Sequence, residues 1–383
     1  MLPFSYAVRN LARDPARALQ TVLGSALVAL LVMTAGAIHR GMDQLLSNTG
    51  SPHNVILLGA GSEESIERSE VPAQTEGLAG AAIPGIATSL GQQAISTEIH
   101  YMAPVTLDDG REANATFRGV RPGSLLVHRQ LRLIDGRPPG AGEIMAGALA
   151  YRRLGADPAL LQPGRQIQFG GQSFTISGTF ASPGTALESE LWFTLDDLMT
   201  LSGRTNPSSV VLRLEQPDPA DATLFTFQRS DLELTAVTEP QYYQRLSSFY
   251  TPIRVMTWLT AALIATGAVL GGLNTLYAAF ASRIQELATL QTIGFTRLSL
   301  LFSLVQESLL ACLTGTLLAT IVAITFIDGL HVSFSIGVFQ LRTDAPVLAA
   351  GLLTGSLLGL VGSLPAAWRC LTPSLPRALR ASA

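Results

Sequence analysis

The sequence predicts a membrane protein of four transmembrane α-helices, with a large α+β domain inserted between the first and the second. Three observations carry that expectation. Four apolar blocks, each at least 20 residues long, run almost without charge, while a polar block of about 215 residues separates the first from the other three. Charged residues make up 14% of the 383, against roughly 25% in a soluble protein. Mean hydropathy is +0.34, on the side of lipid.

Residues 19–38 contain no charge, and at 1.5 Å per residue they reach about 30 Å, one hydrocarbon thickness. Arg9, Arg13 and Arg17 precede this run, as they would in a secretory leader. It is longer than a leader's apolar core and offers only Ala35-Gly36-Ala37 for cleavage, so a retained anchor is expected. The second span is 255–281, the third 298–327 and the fourth 345–368. In the third, Glu307 is an intramembrane carboxylate, read either as a polar relay or as a hydrogen-bonded packing residue. Gly351, Gly355 and Gly359 form a ridge of small residues in the fourth span, and Gly267 with Gly271 does the same in the second.

Arginine sets the orientation. Residues 1–18, the 282–297 loop and the tail from 369 to 383 together carry +6, whereas 40–254 carry -7 and the 328–344 loop -1. The positive-inside bias then places both termini and the 282–297 loop in the cytoplasm, with the block 39–254 on the other side. All 25 basic residues are Arg. Without Lys the chain can be neither a P-loop ATPase nor a Schiff-base enzyme. Cys312 and Cys370 both lie in or beside apolar blocks, and the five His show no ligand spacing, so neither a stapled domain nor a metal site is expected. Nor does any Ser/His/Asp or paired-carboxylate arrangement stand out.

Within the polar block, 166–169 and 172–180 alternate around Gly170-Gly171, a hairpin signal. Further strands are expected at 54–58, 99–107, 113–120, 191–194, 209–214 and 232–237, with short helices at 196–202 and 220–228. Two lobes are expected, with joints at 136–142 and 205–207. Tyr242, Leu246, Phe249, Ile253 and Met256 are spaced 4, 3, 4, 3, which reads as one seam running straight into the second span. Ile38, Met42 and Leu45 keep that spacing after the first span. Two such helices side by side would make a stalk; the alternative is an amphipathic helix packed on the lobe. In the 282–297 loop, Ile284, Leu287, Leu290 and Ile293 form an apolar stripe that ends at Gly294, suited to the lipid interface or to a partner's groove.

The loop and the span after it, SRIQELATLQTIGFTR and QESLLACLTGTLLA, resemble FtsX/MacB-type ABC-transporter permeases. So do YAVRNLARDPARALQTVLG near the start, and DGRPPGAGEIMAGALAYRRLG and FGGQSFTISGTF in the polar block. The tail PAAWRCLTPSLPRALR is a looser match, with Pro373 and Pro376 in an unusual spacing. The resemblance implies a porter-like lobe from about 46–98 and 206–240, an inserted β-rich lobe between, and no enzymatic activity. It implies that Arg283, Glu286, Leu287, Ala288, Leu290, Ile293 and Gly294 contact a separate ABC ATPase subunit, which would bind the ATP and Mg. It also implies a homodimer or heterodimer in the bacterial cytoplasmic membrane, with a periplasmic adaptor as a further candidate partner and no nucleic acid. Export or extraction of a lipid, lipoprotein, peptide or drug-like substrate is the expected function. A non-transporting regulator of an extracytoplasmic cell-wall hydrolase is the alternative.

Purified free of partners, the chain should hydrolyse no ATP; phosphate release that follows the chain through successive columns would contradict this. Protease added outside spheroplasts should cut within 40–254 and spare tags at both termini, whereas a protected central block would reverse the orientation.

Overall fold

The structure, a computed structural model, describes residues 4–372 apart from Ser335; the tail motif with Pro373 and Pro376 lies outside the described residues. Seven of its helices are α1 (Phe4–Arg13), α2 (Pro15–Thr49), α3 (Glu239–Phe249), α4 (Thr251–Ala281), α5 (Ile284–Thr292), α6 (Arg297–Val322) and α7 (Ala345–Leu371). Among the described residues α2, α4, α6 with its last turn, and α7 are long and apolar enough to cross a membrane. The chain divides into a helical unit (1–40, 252–330 and 341–383) and a second unit (41–251 and 331–340).

In the helical unit, α1 and α2 are separate because Pro15 cannot donate a backbone hydrogen bond and so opens a new helix. Asp14 takes the Ala18 N–H on its carbonyl at 3.1 Å. Helix α6 packs along α7, and the glycine ridge explains how. A Cβ at Gly351 would collide with Met33 of α2, one at Gly355 with Thr316 of α6, and one at Gly359 would lie 3.0 Å from the Leu309 Cα. Gly315 of α6, not singled out in the sequence, is held equally close to Val22 and Ser25 of α2. Among the described residues, a Cβ at Gly267 or Gly271 would meet nothing within 4 Å. Helix α6 ends in a wide turn, Ala323–Ile327, closed by the Asp328 N–H on the Ala323 carbonyl at 2.9 Å.

The second unit is built on a ten-stranded sheet. Its strands are β1 (Asn54–Gly59), β2 (Ile95–Leu107), β3 (Glu112–Val120), β4 (Arg132–Gly136), β5 (Glu143–Gly147), β6 (Gln166–Phe169), β7 (Gln172–Ala181), β8 (Leu191–Thr194), β9 (Ser209–Arg213) and β10 (Leu234–Thr238). Their order is β10-β1-β9-β2-β3-β8-β5-β7-β4, with β6 pairing both β2 and β7. Strand β2 has thirteen residues and changes partner midway. Ile95 to Glu98 pair with β9, and Ile99 to Thr106 pair with β3. Two cores follow. Val55, Leu57, Ile83, Val210, Leu212 and Phe225 pack on the β1–β9 side. Ile99, Phe117, Ile144, Ile176 and Phe193 form the other. The hairpin at Gly170-Gly171 is present, both glycines having positive φ.

Three sequence expectations change. Residues 331–340 of the short loop are a hairpin, β11 (His331–Phe334) and β12 (Gly337–Gln340), packed in the second unit. There Arg153 Nη1 donates to the Phe334 carbonyl and Ser333 Oγ to that of Arg152. The stretch 136–142 joins β4 to β5 inside one lobe and is not a joint between lobes. The expected seam is also broken. Helices α3 and α4 are separate at Tyr250, because Pro252 lacks the N–H that would close the turn on Ser248. Tyr242 is buried in the domain, its hydroxyl accepting the Ile66 N–H at 3.3 Å, and α3 packs on β1 and β10. Leu246 is half-buried, while Phe249, Ile253 and Met256 are exposed. Met42 and Leu45 are buried on α2, which runs unbroken past the first span to Thr49. The amphipathic helix packed on its lobe therefore describes α3, not a continuous coiled coil.

Gly355→Val should destabilise the helical unit by roughly 1–3 kcal/mol through overpacking, while Gly267→Val should leave it unchanged. Thermal unfolding of the two variants in detergent compares them directly; equal losses would contradict the packing described.

Candidate functional site

Two segments of the helical unit converge on Glu307 of α6. Arg283, in the turn between α4 and α5, places Nη1 3.2 Å from both carboxylate oxygens. Asn10 of α1, 5% exposed, donates from Nδ2 to Oε2 at 3.4 Å. Burial works against the Arg283 charge, but the adjacent Glu307 carboxylate outweighs it and holds the guanidinium above its ordinary range. The Glu307 carboxylate thus joins α1, the α4–α5 turn and α6. A cavity of about 280 Å³ opens beside it, lined by Asn10, Arg13, Arg17, Arg283, Glu286 and Glu307 among others.

Helix α5 follows directly. Its apolar stripe does not face outward as expected: Leu287 is 2% exposed and packs with Phe280, Leu300, Leu304 and Ala367 of α4, α6 and α7. Leu290 is half-buried against the same cluster, and Ala288 is buried. A stripe of leucines beside three apolar helices finds its lowest free energy there, before any partner arrives. Ile293 is the member left out, 70% exposed. The outer face of α5 is therefore Gln285, Glu286, Thr289, Thr292 and Ile293. Gly294, at φ +112°, ends the helix: its N–H bonds the Gln291 carbonyl, and the Phe295 N–H reaches that of Leu290, each at 3.1 Å. Glu286 was expected to meet a partner's basic groups. It lies 3.6 Å from Arg13 and 3.5 Å from Arg283, a half-exposed arrangement that contributes little to stability.

Sequence reasoning placed Arg283 at a partner surface, whereas the structure gives it to Glu307. It assigned no role to Asn10 beyond family likeness, since 297 positions separate it from its acceptor. It also missed a buried ionic group in the second unit: Glu98, His100, Arg118, His128, Glu190 and Glu239, each under a tenth exposed. One signal was available. Glu98 and His100 are two apart in a strand, so they share a face, and the register sets His100 beside Arg118 and Arg118 beside Trp192.

Two sequence-family profiles match the chain. The MacB-like periplasmic core domain covers residues 18–229, and the FtsX-like permease C-terminal domain covers 258–375. No curated protein matches. Among solved structures, the periplasmic region of MacB from Actinobacillus actinomycetemcomitans is 10% identical with a TM-score of 0.39. That match covers 51% of this chain and 93% of the other. The extracellular domain of the noncanonic ABC-type transporter YknZ from Gram-positive bacteria is 16% identical with a TM-score of 0.36, covering 48% of this chain and 100% of the other. The first profile alone spans more than half the sequence and the second takes in three of the four apolar helices, so this multi-pass membrane protein belongs to the FtsX/MacB-like family of ABC-transporter permeases.

Proposed function

We propose that this permease subunit relays the motion of a separate ATPase subunit, entering at the outer face of α5, to its domain beyond the membrane. The observation that carries the reading is the two-sided construction of α5. Leu287 and Leu290 root it among α4, α6 and α7, and the Arg283–Glu307 pair fixes its first turn, while the face from Gln285 to Ile293 stays at the surface. A push on that face is delivered to three membrane helices at once, since a packed core transmits displacement instead of absorbing it. ATP and Mg would be bound by the partner subunit. The arginine bias supports a bacterial cytoplasmic membrane with both termini inside. A second permease chain, identical or different, would complete the membrane assembly, with a periplasmic adaptor beyond it. Export or extraction of a lipid, lipoprotein, peptide or drug-like molecule is the activity proposed.

Ile293→Asp tests the surface, because it alters an exposed residue without touching the core below. The variant should insert and fold normally, yet bind the ATPase subunit at least about tenfold more weakly, a difference of about 1.4 kcal/mol. Copurification from native membranes measures this. Leu287→Asp should by contrast destabilise the permease itself, a charge having been buried without a partner. Wild-type binding by Ile293→Asp would sink the proposal.

A further inference from the structure

The buried ionic group of the second unit sits where β2 changes partner. Arg118 is fully engaged: Nη1 donates to Glu98 Oε2 at 2.6 Å, and Nε and Nη2 straddle the Glu190 carboxylate at 2.7 and 2.8 Å. Trp192 Nε1 adds a third donor to Glu190 at 2.9 Å. Glu239, in the first turn of α3, takes the Ser51 N–H and Asn54 Nδ2 on Oε2 at 2.9 and 3.0 Å. Between the two systems stands His128. Its Nε2 lies 2.8 Å from Glu98 Oε1, and its Nδ1, without a hydrogen-bond partner, lies 3.9 Å from Glu239 Oε1.

The charge count is unequal. Three carboxylates, each under a tenth exposed, meet the guanidinium of Arg118, with Arg213 of β9 adding its charge towards Glu239. A cavity of about 210 Å³ lies beside Arg118, Glu190 and Glu239, and an unpaired charge is costly there. A neutral His128 that donates to Glu98 through Nε2 must turn the lone pair of Nδ1 towards the Glu239 carboxylate. A proton on Nδ1 replaces that repulsion with attraction.

We propose that His128 is a proton-operated latch: protonated, it bridges Glu98 of β2 to Glu239 of α3, and deprotonated, it leaves the two carboxylates without their shared cation and loosens α3 from the sheet. The groups facing the ring are Glu98 from β2, Glu239 from α3, Arg118 from β3 and the Trp192 ring from β8, 5.7 Å away. Burial lowers the proton affinity of His128 and Arg118 lowers it further, but Glu98 and Glu239 outweigh both and the ring titrates above its ordinary value. Burial likewise raises Glu239, with His128 opposing. His100 stays out of the switch: burial and Arg118 hold it below its usual value, despite Glu98 at 3.7 Å. Both raised groups act in one direction. Their stabilisation is complete below their unfolded values, about 4.3 for Glu and about 6.5 for His, and is lost as pH rises through the folded ones. The latch therefore holds at low pH and opens as pH rises through the raised His128 value.

Hydrogen exchange of the full chain in lipid nanodiscs, corrected for intrinsic rates, tests this between about pH 6 and about pH 9. Protection of Glu239–Phe249 should fall with rising pH, by at most about tenfold per unit for one linked proton. Helix Ala220–Gln228, in the same unit and containing none of these groups, should show a flat profile. His128→Gln should flatten the profile of α3 at low protection. Glu239→Gln, which keeps an oxygen for Ser51, should flatten it while preserving the fold, and decides the matter if the histidine variant does not assemble. A flat wild-type profile, or a slope that survives Glu239→Gln, would overturn the proposal.

Discussion

An ionised group taken out of water must meet an opposite charge or surrender its own, and both units of this chain are arranged around that demand. In the helical unit the group is Glu307, and the answer is Arg283, which ties the α4–α5 turn to α6. Asn10 adds α1 to the same carboxylate. In the second unit it is Arg118, held between Glu98 and Glu190. Removing one partner of such a pair costs about 3–5 kcal/mol, because the remaining charge is stranded. These pairs contribute modestly to stability as formed. They fix which elements lie together.

Much of the fold was legible because it rests on local periodicity. The apolar blocks are long enough to span a bilayer, and the two-glycine turn between 169 and 172 admits hardly anything but a hairpin. What escaped depends on faces and distant partners. The stripe on α5 was visible, but which neighbour covers it is decided by α4, α6 and α7. The residues from 331 to 340 are a few alternating positions beside an apolar helix, too short to declare a hairpin. The break before α4 could have been read from Pro252, had its missing N–H been weighed above the 4-3 spacing.

In both units a charged residue sits at the start of a helix. Arg283 precedes the first turn of α5 and Glu239 opens α3, so polar contacts fix each helix at its start. A helix held at its first turn responds to force as a lever does, with its far end travelling most. In α5 the far end is Ile293, the most exposed member of its stripe. In α3 it is Phe249, next to the end of the helix at Tyr250.

Strand β2 also carries a condition of parity. One lobe is hydrogen-bonded to its first four residues and the other to those that follow, yet side chains alternate without interruption across the change. Ile99 thus points to one core while Glu98 and His100 point to the ionic group on the opposite face. Insertion of two residues at this point would lengthen the strand and keep every side chain on its face. Insertion of one would turn the second lobe over: Phe117 and Phe193 would find their partners on the polar side, and Arg118 would meet the aromatic core. Length variation at the lobe boundary is therefore restricted to even steps, a rule written by the pleat.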